Sequence, residues 1–178
     1  GTLMAQSIKE KLPEGGNVVM ICGPEADSNS MDVANGFETE LGDGPWKIVY
    51  KSHVKSWTPE NGTQAVADAF AGTEEEIDAV MCGNDGLAGY VIRSLSERQL
   101  AGDVVVVGQD ADLEACQRIV EGTQTMTVYK PINDLAKEAA ECTVKLARGE
   151  QIVGNVLDVS DVKENEDGQE VPYYGLEP

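Results

Sequence analysis

Five short apolar runs rich in β-branched residues, each followed by a stretch with helical spacing, limit what this chain can fold into. NVVMIC (17–22) precedes a helical stretch ending near Leu41, WKIVYK (46–51) precedes ENGTQAVADAFAG, and IDAVMC (77–82) precedes a helix through about Glu97. DVVVVG (103–108) then precedes a helix over 113–120, and TMTVY (125–129) a long helix over 132–147. Strands linked in this way by helices call for a parallel sheet, because each crossover lays a helix on one of its faces. The expected fold is therefore α/β, a doubly wound parallel sheet with helices on both faces. The opening GTLMAQSIKEKL reads as a helix with neither a cap nor an export signal before it. Beyond Asp158 the periodicity stops, and VSDVKENEDGQEVPYYGLEP reads as an acidic loop leading to an extended end.

At 178 residues the chain has room for one domain with a genuine core. It has no run of about 18 apolar residues of the kind that spans a bilayer. Thirty-two acidic against 13 basic side chains give a formal charge of −19. That charge repels phosphate backbones and anionic headgroups, so nucleic acid and membrane surfaces are poor partners. Cys22, Cys82, Cys116 and Cys142 form no C-x-x-C pair and have no histidine close by, which argues against zinc. Three of them lie in apolar patterns, where a reduced thiol acts as a small buried hydrophobe.

In an open parallel sheet, ligands bind beyond the carboxyl ends of the strands, where loops converge and helix N-termini point inward. The segments in that position are 24–29, 53–57, Asn84 with Asp85, Gln109 with Asp110, and Lys130. This set suits a neutral polyol. Each sugar hydroxyl both donates and accepts, so Asp and Asn can bridge neighbouring hydroxyls while an aromatic face stacks on the C–H side of the ring. It suits catalysis poorly: the chain has one histidine, His53, and no G-x-S-x-G, P-loop or H-E-x-x-H sequence. No G-x-G-x-x-G follows a strand, so no cofactor is expected.

Structural roles compete for each of these residues. Asn84 and Asp110 stand at strand-to-helix joins, where such side chains cap helices. Trp57 also reads as a loop tryptophan pinned on apolar surface, Lys130 as a solvated lysine, and His53 as a surface or strand histidine. Asp110 and Asp112 lack the further ligands that a metal site requires. In KENEDG, a calcium loop would put Lys163 at its first ligand position, which excludes one.

The stretch from IDAVMCGNDG to TQTMTVYKP (77–131) closely resembles the carboxyl-terminal half of bacterial D-xylose-binding proteins, within the pentose and hexose binders that serve ABC transporters. GQDAD (108–112) and GTQTMTVYKP (122–131) are the most specific parts, and SWTPENG (56–62) resembles a further family segment. The resemblance implies a two-lobed clamp that closes on one monosaccharide and is read by a membrane permease or a sensor kinase. It implies that Asn84, Asp110 and Lys130 are sugar-contacting polar residues, that Trp57 is the family's tryptophan, and that Asn29 lies where the family also has asparagine. One departure is that Ala34, in MDVANGF, stands where family members carry an arginine aimed at the sugar.

The resemblance also organises the chain. Residues 1–130 are the second lobe of a type I periplasmic-binding-protein fold, 131–149 a helix that would pack on a missing first lobe, and 150–178 a return strand and acidic tail. Ile132, Leu135, Ala136, Ala139, Ala140, Thr143, Leu146 and Ala147 form a stripe on that helix, for which a homodimer or a displaced position is expected. The expected role is solute binding for a sugar ABC transporter. The competing role is sugar sensing, or effector binding in a regulator. The expected location is periplasmic or extracellular, with a lipid anchor in a Gram-positive host.

Overall fold

The computed structural model describes residues 1–58, 60–152, 163–164 and 170–171. The chain divides into two compact units at Lys130/Pro131. In the first unit the order is α1 (Thr2–Lys11), β1 (Gly16–Cys22), α2 (Ser28–Leu41), β2 (Trp46–His53), α3 (Glu60–Gly72), β3 (Ala79–Cys82), α4 (Asp85–Glu97), β4 (Val105–Gln109), α5 (Leu113–Glu121) and β5 (Met126–Val128). The five strands are all parallel, in the order β2-β1-β3-β4-β5.

Alternation along the strands divides the core. Val18, Met20 and Cys22 of β1, with Ala79 and Met81 of β3, pack against Met4 and Ile8 of α1 and Ala34, Phe37 and Leu41 of α2. Val19 and Ile21, with Val80 and Cys82, face the other way, onto Val66 and Ala69 of α3 and Leu87, Val91 and Leu95 of α4. Successive side chains of a strand point to opposite faces, so a strand that is apolar throughout needs helices on both sides. Each fully buried side chain of this size contributes roughly 1.5–3 kcal/mol, which makes β1 and β3 the anchor of the first unit.

Strand order fixes where the loops open. After β1 the chain moves out to β2, then returns across β1 to β3 and continues outward in the other direction. The loops after β1 and β3 therefore diverge, and a crevice opens between them at the carboxyl ends of the strands.

The second unit begins with α6 (Ile132–Ala147), which buries none of its residues and leaves Ile132, Leu135, Val144 and Leu146 exposed. Asp134 lies in its first turn and Lys145 in its last, each complementing the helix dipole. Lys163–Glu164 and Glu170–Val171 pair antiparallel. The rest of the segment expected to form a return strand and tail, KENEDG's central residues included, lies outside the described residues.

Two details differ from the sequence reading. β2 runs on to include His53, because the edge strand continues its pairing as far as Cys22. The His53 ring then hydrogen-bonds through Nδ1 to Gly23 O at 2.9 Å. Ala34 is fully buried beside Phe37 on the core face of α2, so no side chain at that position faces the crevice. The α2 residues that do face it are Asn29, Asp32 and Val33, which lie about one helical turn apart.

Candidate functional site

A cavity of about 420 Å³ lies at this switch point. Asn29, Trp57, Asn84, Asp110 and Lys130 all line it, so the structure brings the five residues singled out from the sequence to one cavity. Asp27, Asp32, Val33, Gly83 and Gln109 complete the lining.

Trp57 is seated by two glycines. A Cβ on Gly23 would collide with the indole, and one on Gly83 would stand 2.9 Å from Gly23 N and 3.2 Å from Trp57 Cζ3. Each strand is therefore followed directly by the residue that leaves room for a ring. The indole Nε1–H donates to Asp27 Oδ2 at 2.8 Å, while Asp27 Oδ1 accepts from the Asn29 backbone N–H at 2.9 Å and so caps α2. The Trp57 hydrogen bond, aided by the backbone N–H groups of Asn29 and Ser30, holds the Asp27 carboxyl below its ordinary range. The indole is fixed at its polar edge, and its ring remains half-buried on the cavity wall.

Asn84 fills both of the roles that competed for it. Its Oδ1 accepts from Leu87 N at 2.9 Å and caps α4, a geometry that leaves the Nδ2 hydrogens as the donors available to the cavity. Asp110 does not cap α5. The N-cap is Asp112, without a side-chain hydrogen bond, and the Asp110 carboxylate instead meets Lys130 Nζ at 2.6 Å. Both partners are partly exposed, so the pair adds about 1 kcal/mol or less and a ligand can exchange with it at little cost. Among the described residues no group of three or more His, Cys, Asp or Glu is placed to hold a metal ion.

Sequence reasoning passed over the support behind this wall. Asp85, 1% exposed, accepts from Gln124 Nε2 at 2.8 Å, Thr127 Oγ1 at 2.7 Å and Asp112 N at 3.1 Å. Arg118 completes the set, donating from Nε to Gln124 Oε1 and from Nη2 to Asp85 O. A Cβ on Gly108 would collide with Asp85 Oδ1, so this glycine in GQDAD makes room for the network. The usable signal was the glycine itself, inside an otherwise β-branched strand.

Taken together, the cavity presents amides, carboxylates, one lysine and one indole at the switch point of a parallel sheet, the place where open α/β folds bind small molecules. The chain belongs to the periplasmic binding protein domain family, whose model matches residues 1–151. It is 39% identical to the D-xylose-binding periplasmic protein of Haemophilus influenzae over 182 aligned positions, covering 100% of this chain and 53% of that protein. Identity to the Escherichia coli D-xylose-binding periplasmic protein is also 39%, over 155 positions, 85% of this chain and 47% of the relative. The chain thus spans about half the length of the curated relatives it matches. Among solved structures, a periplasmic solute-binding protein from Actinobacillus succinogenes with bound D-allose superposes with a TM-score of 0.77 at 22% identity, covering 86% of this chain and 53% of that one.

Proposed function

We propose that this chain is one lobe of a two-lobed receptor that binds a neutral monosaccharide, D-xylose or a related pentose, and delivers it to an ABC permease. The observation that carries the reading is the meeting of Trp57 with Asn84, Asp110 and Lys130 around one cavity. An indole face for the C–H side of a ring, flanked by groups that bridge hydroxyls, is the chemistry a sugar needs. Charge narrows the ligand further. Asp27, Asp32 and Asp110 outnumber Lys130, so a sugar phosphate or sugar acid would meet repulsion. The 39% identity to two D-xylose-binding periplasmic proteins favours a pentose within that class.

In this reading Asn84 donates through Nδ2, Asp110 accepts from two hydroxyls after parting from Lys130, and Lys130 donates to a ring or hydroxyl oxygen. Asn29 borders the site from α2. A second lobe closes over the exposed side, excludes water and strengthens each of these bonds. The closed form is what the permease reads. Its place is the periplasm or the cell exterior, where a lipid anchor would hold it in a host without an outer membrane.

Calorimetric titration of the complete two-lobed protein with D-xylose, D-ribose, D-glucose and D-galactose tests the proposal. The expected result is D-xylose or D-ribose at about micromolar Kd, near −8 kcal/mol, with the hexoses weaker. Heat from none of the four would overturn it.

A further inference from the structure

Asp110 and Ala111 have φ of +109° and +56°, two consecutive left-handed residues that both carry a Cβ. Such backbone is disfavoured and persists only where its surroundings impose it. Here each amide of the turn is held separately. Asp110 N donates to Val128 O at 2.9 Å, Ala111 N to Thr127 Oγ1 at 3.0 Å, and Asp112 N to Asp85 Oδ2 at 3.1 Å. Thr127 Oγ1 in turn donates to the same Asp85 oxygen at 2.7 Å. The hydroxyl is thus a relay: it accepts from the strained turn and donates to a buried carboxylate. Asp85 also opens α4 directly after its cap Asn84, so one buried group is tied to two polar residues that line the cavity.

We propose that Asp85 and Thr127 are positioning residues for the sugar site: a buried clamp that keeps the 110–112 turn left-handed, aims the Asp110 carboxylate into the cavity and fixes its spacing from Asn84. The assignment rests on the sugar-binding reading above. Without the Thr127 hydroxyl, Ala111 loses its acceptor and the turn relaxes toward negative φ, which swings Asp110 away from Asn84 while the fold persists. A glycine at 111 adopts positive φ without penalty and so removes part of the need for the clamp.

The test combines two readouts. In the complete two-lobed protein, D-xylose affinity is measured for wild type, Thr127→Val, Thr127→Ser, and Thr127→Val combined with Ala111→Gly. In this 178-residue chain, hydrogen exchange is followed at the Ala111 and Asp112 amides. Thr127→Val, which removes the hydroxyl but keeps the shape, is expected to weaken D-xylose about ten-fold, the scale of one lost hydrogen bond, and to speed exchange at both amides. Thr127→Ser keeps the hydroxyl and should stay within about three-fold of wild type. Adding Ala111→Gly should recover part of the lost affinity, which a general loss of stability would not allow. Faster exchange with unchanged affinity in Thr127→Val, or equal losses in Thr127→Ser and Thr127→Val, would overturn the assignment alone. A wild-type protein that binds none of the four sugars would overturn the functional reading, and the assignment with it.

Discussion

On the β1–β2 side of the cavity, the indole of Trp57 rests on two glycines and is held by Asp27, a half-buried carboxylate. On the β3–β5 side, Asn84 and Asp110 stand in front of Asp85 and Gln124, 1% and 2% exposed, with every bond between them internal to the lobe. The first flank's hydrogen bonds lie nearer the surface, whereas the second gathers three donors on one buried carboxylate, where the loss of the acceptor costs more. The cavity thus joins an adjustable wall that offers an aromatic face to a stiff wall that sets the spacing of polar groups.

The sharpest way to break this contrast is to remove one carboxylate from each flank. Asp85→Ala removes the acceptor shared by buried Gln124 and by the part-buried Thr127 hydroxyl and Asp112 amide, and should lower the unfolding free energy by about 3 kcal/mol, read from urea titration. Asp27→Ala, which removes the cap of α2 and the indole's acceptor, should cost only about 1 kcal/mol. Equal effects would mean that the two walls are not built differently. Next in size is Gly83→Ala, whose Cβ would stand 2.9 Å from Gly23 N and press on the indole. It should cost about 1–3 kcal/mol and shift the Trp57 fluorescence, while an unshifted spectrum would show that the indole does not rest on this glycine.

A smaller effect follows from pH. The Asp27 carboxyl is held below its ordinary value of 3.8, chiefly by the Trp57 N–H. A depressed native pKa means that the Asp27–Trp57 bond contributes in full above that value and is lost as pH falls through the native one. The Trp57 Nε1–H resonance should therefore stay constant down to about pH 4 and move only below it, with Asp27→Asn abolishing the transition. A transition starting above pH 5 would assign it to another group. The smallest effect concerns thiols. Burial raises the Cys22 pKa to about 11 and shifts Cys82 further in the same direction, so both stay protonated and shielded at neutral pH. A thiol reagent on the folded chain should spare both and modify exposed Cys116, and labelling of Cys22 before unfolding would contradict this burial.

What could be read from the sequence follows the same division. Parallel strands put whatever follows each of them at one edge, so Asn29, Trp57, Asn84, Asp110 and Lys130 could be gathered from strand ends alone, and the β-α alternation was plain because β1 and β3 are apolar on both faces. The motif match put Ala34 where family members carry an arginine aimed at the sugar, but a motif carries no helix face, and the spacing of Ala34 from Ser30, Phe37 and Leu41 puts it in the core. Asp85 stood beside Asn84 among the strand-end residues, but its supporting role was not legible, because only the pairing of β4 with β5 brings Gln124 and Thr127 to it. Partners 39 and 42 residues away leave no periodic trace.

The central claim, that this cavity is a sugar half-site, is tested most directly by titrating the isotope-labelled 178-residue chain with D-xylose and following its amide and indole resonances. One lobe's contacts should give a Kd of about millimolar, with progressive shifts at Trp57 Nε1, the Asn84 side chain and the amides of Asp110 and Ala111. Shifts gathered elsewhere on the lobe, or none at these groups at saturating sugar, would contradict it.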